Sequence, residues 1–192
     1  MDKTIIIALF GKSGAGKDTI QKELLKYMNN SKGIISNTTR PPREYERNGI
    51  DYHFLSISNF IKKITKKEML EVTYFNNWFY GTSIDSLDKN KINIGVFNPQ
   101  GINELLKDKR IITIPIYIKV DDKERLLRQL KREKNPNCAE ICRRFFTDEE
   151  DFKQENLDFD FYSFDNNNSG LEESQIFNLI DFISRESEGK NN

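Results

Sequence analysis

Gly11-Lys12-Ser13-Gly14-Ala15-Gly16-Lys17-Asp18 is the stretch of this sequence whose residue types and spacing speak most directly of chemistry. It fits the phosphate-loop pattern G-x-x-x-x-G-K, with aspartate where serine or threonine usually follows. Glycines let the backbone wrap closely, so that its N–H groups face phosphate oxygens. The next helix offers its positive end, and Lys17 adds a charge near the β and γ phosphates. Ser13, Gly14, Ala15, Gly16, Lys17, Asp18 and Thr19 are therefore the candidate residues for a nucleoside triphosphate. The competing reading is a plain glycine turn followed by an exposed lysine. Context argues against it: the buried-type strand Thr4 to Phe10 leads in, and a helix with Ile20, Leu24, Tyr27 and Met28 at helical spacing leads out.

A second anion site is suggested by Ser36-Asn37-Thr38-Thr39-Arg40-Pro41-Pro42-Arg43, continuing through Glu46, Gly49, Asp51, Tyr52 and Phe54. Arginine presents a planar fork of donors to phosphate oxygens, and a tyrosine hydroxyl adds a donor without charge. Taken alone, the run also suits a solvated basic turn. Further on stand Glu68-Met69-Leu70-Glu71 and Tyr80-Gly81-Thr82-Ser83.

These segments together resemble the guanylate kinase family, whose T-T-R-x-P-R, E-x-x-G-x-D-Y-x-F, E-F-x-E and Y-Y-G-T/S patterns they follow at similar spacing from about Thr4 to Arg144. The resemblance implies transfer of the γ-phosphoryl group of ATP, with Mg²⁺, to GMP or dGMP. Arg40, Arg43, Tyr52 and Tyr80 would hold the acceptor phosphate, and Ser36, Glu71 and Thr82 would face the base. Guanine agrees with that assignment, since its N1 and N2 donors suit a carboxylate and its O6 suits a hydroxyl. A surface carboxylate is the competing reading of Glu71. His53 is read as structural, because phosphoryl transfer to an ionised phosphate needs no imidazole.

Val96-Phe97-Asn98-Pro99-Gln100-Gly101 departs from the family's D-x-D pair before Q-G. Val96 cannot help organise a metal, and Asn98 can accept only through an uncharged amide oxygen, so base selectivity is expected to lean on Glu71. Asp18 is the candidate replacement ligand, directly or through water, because Mg²⁺ takes oxygen ligands and keeps waters. The alternative is that Asp18 merely caps its helix. The same G-K-D variant is similar to that of ribose 1,5-bisphosphate phosphokinases and viral deoxynucleotide kinases, which leaves a sugar bisphosphate or a broader deoxynucleotide as rival acceptors. A guanylate-kinase-like binding module without catalysis is the non-enzymatic rival, and retention of Lys17 argues against it.

Lys17, Arg40, Arg43, Arg132 and Arg144 are the candidate catalytic residues, working by position and charge. Arg132 and Arg144 sit in a basic helical hairpin, where Arg128 could stand in for Arg132. A solvated helix with i,i+4 pairs such as Glu124 with Arg128 is the competing reading.

The order strand, glycine loop, helix, then alternating strands and helices predicts an α/β, three-layer P-loop NTPase fold with a parallel central sheet. One domain is expected, with core 1–33, 83–125 and 155–187. An inserted mixed β/α acceptor-binding subdomain spans 34–82, a helical lid 126–154 and a frayed tail 188–192. Ile57, Phe60, Ile61 and Ile64 form an apolar helical stripe, Pro115 is expected to confine strand pairing to its C-terminal side, and Ser169 to Glu172 has capping-box spacing.

Thirty basic and thirty acidic side chains leave no global field that would attract nucleic acid or a membrane. The expected partners are small nucleotides, with the chain a monomer or homodimer. The phosphate loop begins too soon for a secretory leader, and a cytoplasmic location is expected. Cys138 and Cys142 lack the partners of a zinc site and read as reduced thiols.

Overall fold

The computed structural model describes residues 3–44, 46–75, 77–132, 134–167 and 171–191. At its centre lies β1 (Thr4–Phe10), buried at every position. Strand alternation divides its side chains between two layers. Ile5, Ile7 and Leu9 meet Ile20 and Leu24 of α1 (Lys17–Tyr27) and Ile176, Leu179 and Ile183 of α6 (Glu173–Asn191). Ile6, Ala8 and Phe10 meet Ile102 and Leu105 of α3 (Pro99–Lys107) on the opposite face. A strand covered on both sides has no polar face, hence its unbroken apolar sequence.

Five parallel strands in the order β2-β7-β1-β8-β9 make this sheet, with β2 (Ser31–Gly33), β7 (Ile92–Val96), β8 (Ile111–Lys119) and β9 (Tyr162–Asp165). The order reverses around β1, so the loop leaving its C-terminal end opens into the crevice where such sheets bind ligands. The expectation for Pro115 fails on one side: pairing with β1 runs unbroken from Thr4↔Ile111 to Phe10↔Tyr117, through Ala8↔Pro115. Successive strand residues direct their N–H groups to alternate sides, and the other side is joined by β9 only from Ile116 onward. Proline therefore costs this sheet no bond that its neighbours need.

A second, four-stranded sheet in the order β4-β3-β6-β5 stands beside the first. It contains β3 (Asn37–Thr38), β4 (His53–Phe54), β5 (Met69–Phe75) and β6 (Trp78–Ser83), and α2 (Ile57–Thr65) leans on it. Phe60 alone of the α2 stripe is buried, stacked on Phe79 at 5.5 Å, while Ile57, Ile61 and Ile64 are exposed. The backbone N–H of His53 donates to the Ser36 carbonyl at 2.9 Å in this sheet.

The hairpin α4 (Asp122–Arg132) and α5 (Cys138–Asp151) follows β8, and Cys138 and Cys142 are exposed free thiols on α5. Helix α6 continues to Asn191, beyond the point where a frayed tail is expected. The Ser169 and Gly170 part of the proposed capping box lies outside the described residues.

An aromatic cluster under the sheet ties the end of α5 to the core. Phe10 has Tyr117, Phe152, Phe159 and Phe161 at ring-centroid distances of 5.2, 6.2, 5.6 and 5.4 Å. Phe10→Ala is expected to lower unfolding free energy by about 3–5 kcal/mol, as large-to-small changes in such cores do, measured by denaturant titration.

Candidate active site

The phosphate loop owes its form to the close approach of α4 and β9. Gly14 and Gly16 have φ of +83° and +90°, and a Cβ on them would lie 2.5 Å from the Arg125 carbonyl oxygen and 2.7 Å from Asn166 Nδ2. Only glycine meets both demands. From behind, Asn166 Nδ2 donates to the Ala15 carbonyl at 2.8 Å and Gln129 Nε2 to the Ser13 carbonyl at 3.2 Å. Gly16 is also the N-cap of α1, so Asp18 is not the cap. It is an exposed carboxylate in the first turn, beside Lys17. Lys17 folds back along the loop, with Nζ donating to the carbonyls of Gly11 at 2.7 Å and Lys12 at 3.2 Å. Burial lowers its pKa, and the carboxylates of Asp18 and Asp148 work against that shift.

Arg125 holds this region together, and sequence reasoning missed it. Its side chain is fully buried on α4, 2.7 Å from Asp122, 3.0 Å from Asp148 and 2.9 Å from Glu149, with its guanidinium 3.9 Å above the Phe145 ring. Asp148 in turn accepts from Ser13 N–H at 2.8 Å and Ser13 Oγ at 3.2 Å, while Lys12 pairs with Glu149 at 2.6 Å. Two elements of the hairpin are thus bonded to the loop through charge. No local pattern marks it: the buried residues of α4 are Arg125 and Gln129, while Leu127 and Leu130 are exposed.

Across the crevice, the second sheet assembles the predicted acceptor residues. Thr38 Oγ1 accepts from the Arg40 N–H at 3.1 Å, and Thr39 Oγ1 accepts from the Phe79 N–H at 2.9 Å, which pins the turn that carries Arg40. Glu46 then aims both arginines: it takes Arg40 Nη2 at 2.8 Å and the Arg43 backbone N–H at 2.8 Å. Arg40 holds Glu46 below the ordinary carboxylate range. The Arg40 guanidinium lies 5.6 Å from the Tyr52 ring, and Tyr52 meets Tyr80 at 6.3 Å. Burial raises the Tyr52 pKa, which keeps its hydroxyl a donor.

Ser13, Ser36, Tyr52, Glu71, Tyr80, Asn98 and Arg144 line one cleft of 360 Å³, in the size range of small-ligand sites. Ser36 Oγ on its wall is 3.5 Å from Thr82 Oγ1, which is fully buried behind the lining residues. Glu71 is 7% exposed and is therefore no surface carboxylate. Burial pushes its pKa up to about 7, with Thr82 hydrogen bonds pulling down and Glu104 pushing up. Val96 lines the cleft and has no oxygen to offer, and the Asn98 amide oxygen is already taken by the Gly101 N–H at 2.8 Å.

A neighbouring cavity of 320 Å³ is lined by Arg43, Arg132 and Arg144 together. Arg132, rather than Arg128, is thus the α4 arginine brought to the acceptor side. Arg128 instead donates to the Asn166 carbonyl at 2.7 Å and pairs with Glu124 at 2.9 Å. Glu140 orients Arg143 and Arg144 from 2.7 and 2.8 Å, and those two arginines lower its pKa to about 2.

A model of the guanylate kinase family matches residues 1–184. The guanylate kinase of Wigglesworthia glossinidia brevipalpis is 35% identical over 173 residues, covering 85% of this chain and 80% of that protein. That of Campylobacter jejuni (strain RM1221) is 31% identical over 154 residues, covering 78% and 75%. A crystal structure of guanylate kinase from Anaplasma phagocytophilum has a TM-score of 0.63 at 22% identity over 99% of this chain and 87% of that one, a likeness of fold. With a family match that spans loop, acceptor sheet and hairpin alike, the chain belongs to the guanylate kinase family.

Proposed function

We propose that this protein transfers the γ-phosphoryl group of ATP to GMP or dGMP, yielding ADP and GDP or dGDP. The observation that carries the reading is the single cleft in which the phosphate loop, through Ser13, faces Tyr52, Tyr80, Glu71 and Arg144. A bare sugar bisphosphate has no base to meet the buried Glu71 carboxylate, and a binding module would have no use for Lys17 in its loop.

Lys17 and the amides from Ser13 to Thr19 bind the ATP phosphates. Arg40, Arg43, Tyr52 and Tyr80 hold the acceptor phosphate, with Glu46 fixing the direction of both arginines. Ser36, Thr82 and Glu71 face the base, and Asn98 completes that wall. An oxygen of the acceptor phosphate attacks the γ phosphorus in line as the bond to the β–γ bridging oxygen breaks. Arg132 and Arg144 neutralise charge on the transferring group. The hairpin 126–154 serves as lid, excluding water from the reaction.

The exposed Asp18 carboxylate beside Lys17 has the oxygen chemistry that Mg²⁺ prefers, and it is the residue we assign to the metal, directly or through water. When bound, Mg²⁺ would neutralise and orient the ATP phosphates. The partners are small nucleotides, and the cytoplasm, where both are abundant, is the expected setting. No helix among the described residues is long and apolar enough to cross a membrane.

Purified protein with ATP and Mg²⁺ should phosphorylate GMP and dGMP in preference to AMP, dTMP, UMP and ribose 1,5-bisphosphate. A preference for the sugar would overturn the reading. Lys17→Ala should reduce kcat by roughly a thousandfold or more, the scale of losing a preorganised charge contact, while GMP binding by calorimetry persists. Asp18→Ser should shift activity to higher Mg²⁺ concentration, and an unchanged Mg²⁺ titration would remove Asp18 from the metal site. Glu71 must be ionised to accept two guanine hydrogens, so kcat/KM for GMP should rise with pH through about 7 and level off above it. In Glu71→Gln that limb should vanish, leaving only the limb of the acceptor phosphate near ~6.

A further inference from the structure

The wall of the cleft at the start of α3 carries an amide, Asn98, whose oxygen is already engaged. Asn98 is the N-cap of α3, and its Oδ1 accepts from the Gly101 N–H at 2.8 Å. That bond fixes the orientation of the amide, since turning it over would set N–H against N–H. Thr73 Oγ1, which also lines the cleft, lies 3.3 Å from Nδ2 and 3.5 Å from Oδ1. The Asn98 oxygen is therefore committed to the helix and to the Thr73 hydroxyl, and Asn98 offers the cleft no carboxylate.

Glu71 stands immediately beside it. A Cβ built on Gly101 would lie 3.1 Å from Asn98 Oδ1 and 3.2 Å from Glu71 Oε2, so the two side chains converge on one turn of α3. Two further carboxylates line the cleft. Asp148 is committed to Ser13 and Arg125, and Asp151 lies exposed at the end of α5. Glu71 is thus the buried acceptor left for the base.

Guanine and hypoxanthine share O6 and the N1–H, and guanine adds a 2-amino group with two hydrogens. One can go to the second oxygen of Glu71. The other finds no free lone pair at Asn98, whose Oδ1 is held by the Gly101 N–H and lies 3.5 Å from Thr73 Oγ1. A charge-assisted hydrogen bond gained and a buried donor left unpaired are opposite in sign and similar in size. The amino group then adds little net affinity.

Resting on the kinase reading above, we propose that Asn98 relaxes the choice at purine position 2. The cleft then takes 6-oxopurine nucleoside monophosphates as a class, IMP and dIMP beside GMP and dGMP. Purines are sorted at position 6 and N1, where Ser36, Thr82 and Glu71 act.

The test is kcat/KM for GMP and IMP with ATP and Mg²⁺, alongside calorimetric binding of both nucleotides. In the wild type the GMP over IMP ratio should lie within about tenfold, the scale of one partly cancelled hydrogen bond. Asn98→Asp keeps the helix cap, which aspartate forms as well as asparagine, and sets a carboxylate oxygen where Nδ2 stands. It should raise the ratio by about tenfold or more in both measurements. A wild-type ratio beyond about tenfold, or a ratio unmoved by Asn98→Asp, would overturn the proposal. If the variant does not fold, as a thermal melt would reveal, the wild-type ratio decides alone. Absence of turnover with every purine monophosphate would instead overturn the kinase reading, and calorimetry would still measure the ratio.

Discussion

A guanidinium that is cut off from water cannot lose its proton, so the chain must gather carboxylates around it. Arg125 is such a group, and the way its demand is met organises the site. Asp122 comes from its own helix, whereas Asp148 and Glu149 must be brought from α5. Asp148 then has lone pairs to spare, which it gives to the Ser13 amide and hydroxyl. Loop, α4 and α5 are joined through one buried charge. Removing a single partner would leave another charge buried and uncompensated, which is far more disruptive than the loss of an exposed ion pair.

The joint also bears on how the two anionic substrates meet. Arg144 and Thr147 reach the cleft from the same helix that Asp148 anchors. Arg43, Arg132 and Arg144 surround the adjoining cavity. Mutual repulsion among these cations is restrained by carboxylates behind them, Glu46 on the acceptor side and Glu140 on the hairpin. Glu140 lines that cavity with the arginines, so it holds their direction from within it.

Much of this was legible in the chain itself. The unbroken apolar run from Thr4 to Phe10 and the glycines after it specify a strand, a turn and a helix by local rules, and the structure has all three. Glu71 and Thr82 were expected to face the base, and they are paired with each other across β5 and β6. What could not be read were interactions that local patterns do not encode. Pro115 is harmless because of which neighbour lies on its blank side, Ile57, Ile61 and Ile64 stay exposed because only Phe60 has something to pack on, and Asn98 spends its oxygen on a helix end. Arg125 and Asp148 lie far apart in sequence, and neither belongs to a motif.

The bond from Asn166 to the Ala15 carbonyl spans nearly the whole chain, and β1 pairs on both sides with strands that follow much later. Non-local pairing of this kind slows folding, because chain entropy is lost before the contacts that repay it can form. On the ribosome the consequence is sharper. The glycine loop is made well before the side chains that shape it, Arg125, Asp148 and Asn166. A nascent chain therefore carries its nucleotide loop without those partners until they follow, and the full set is present only when the end of β9 has been made.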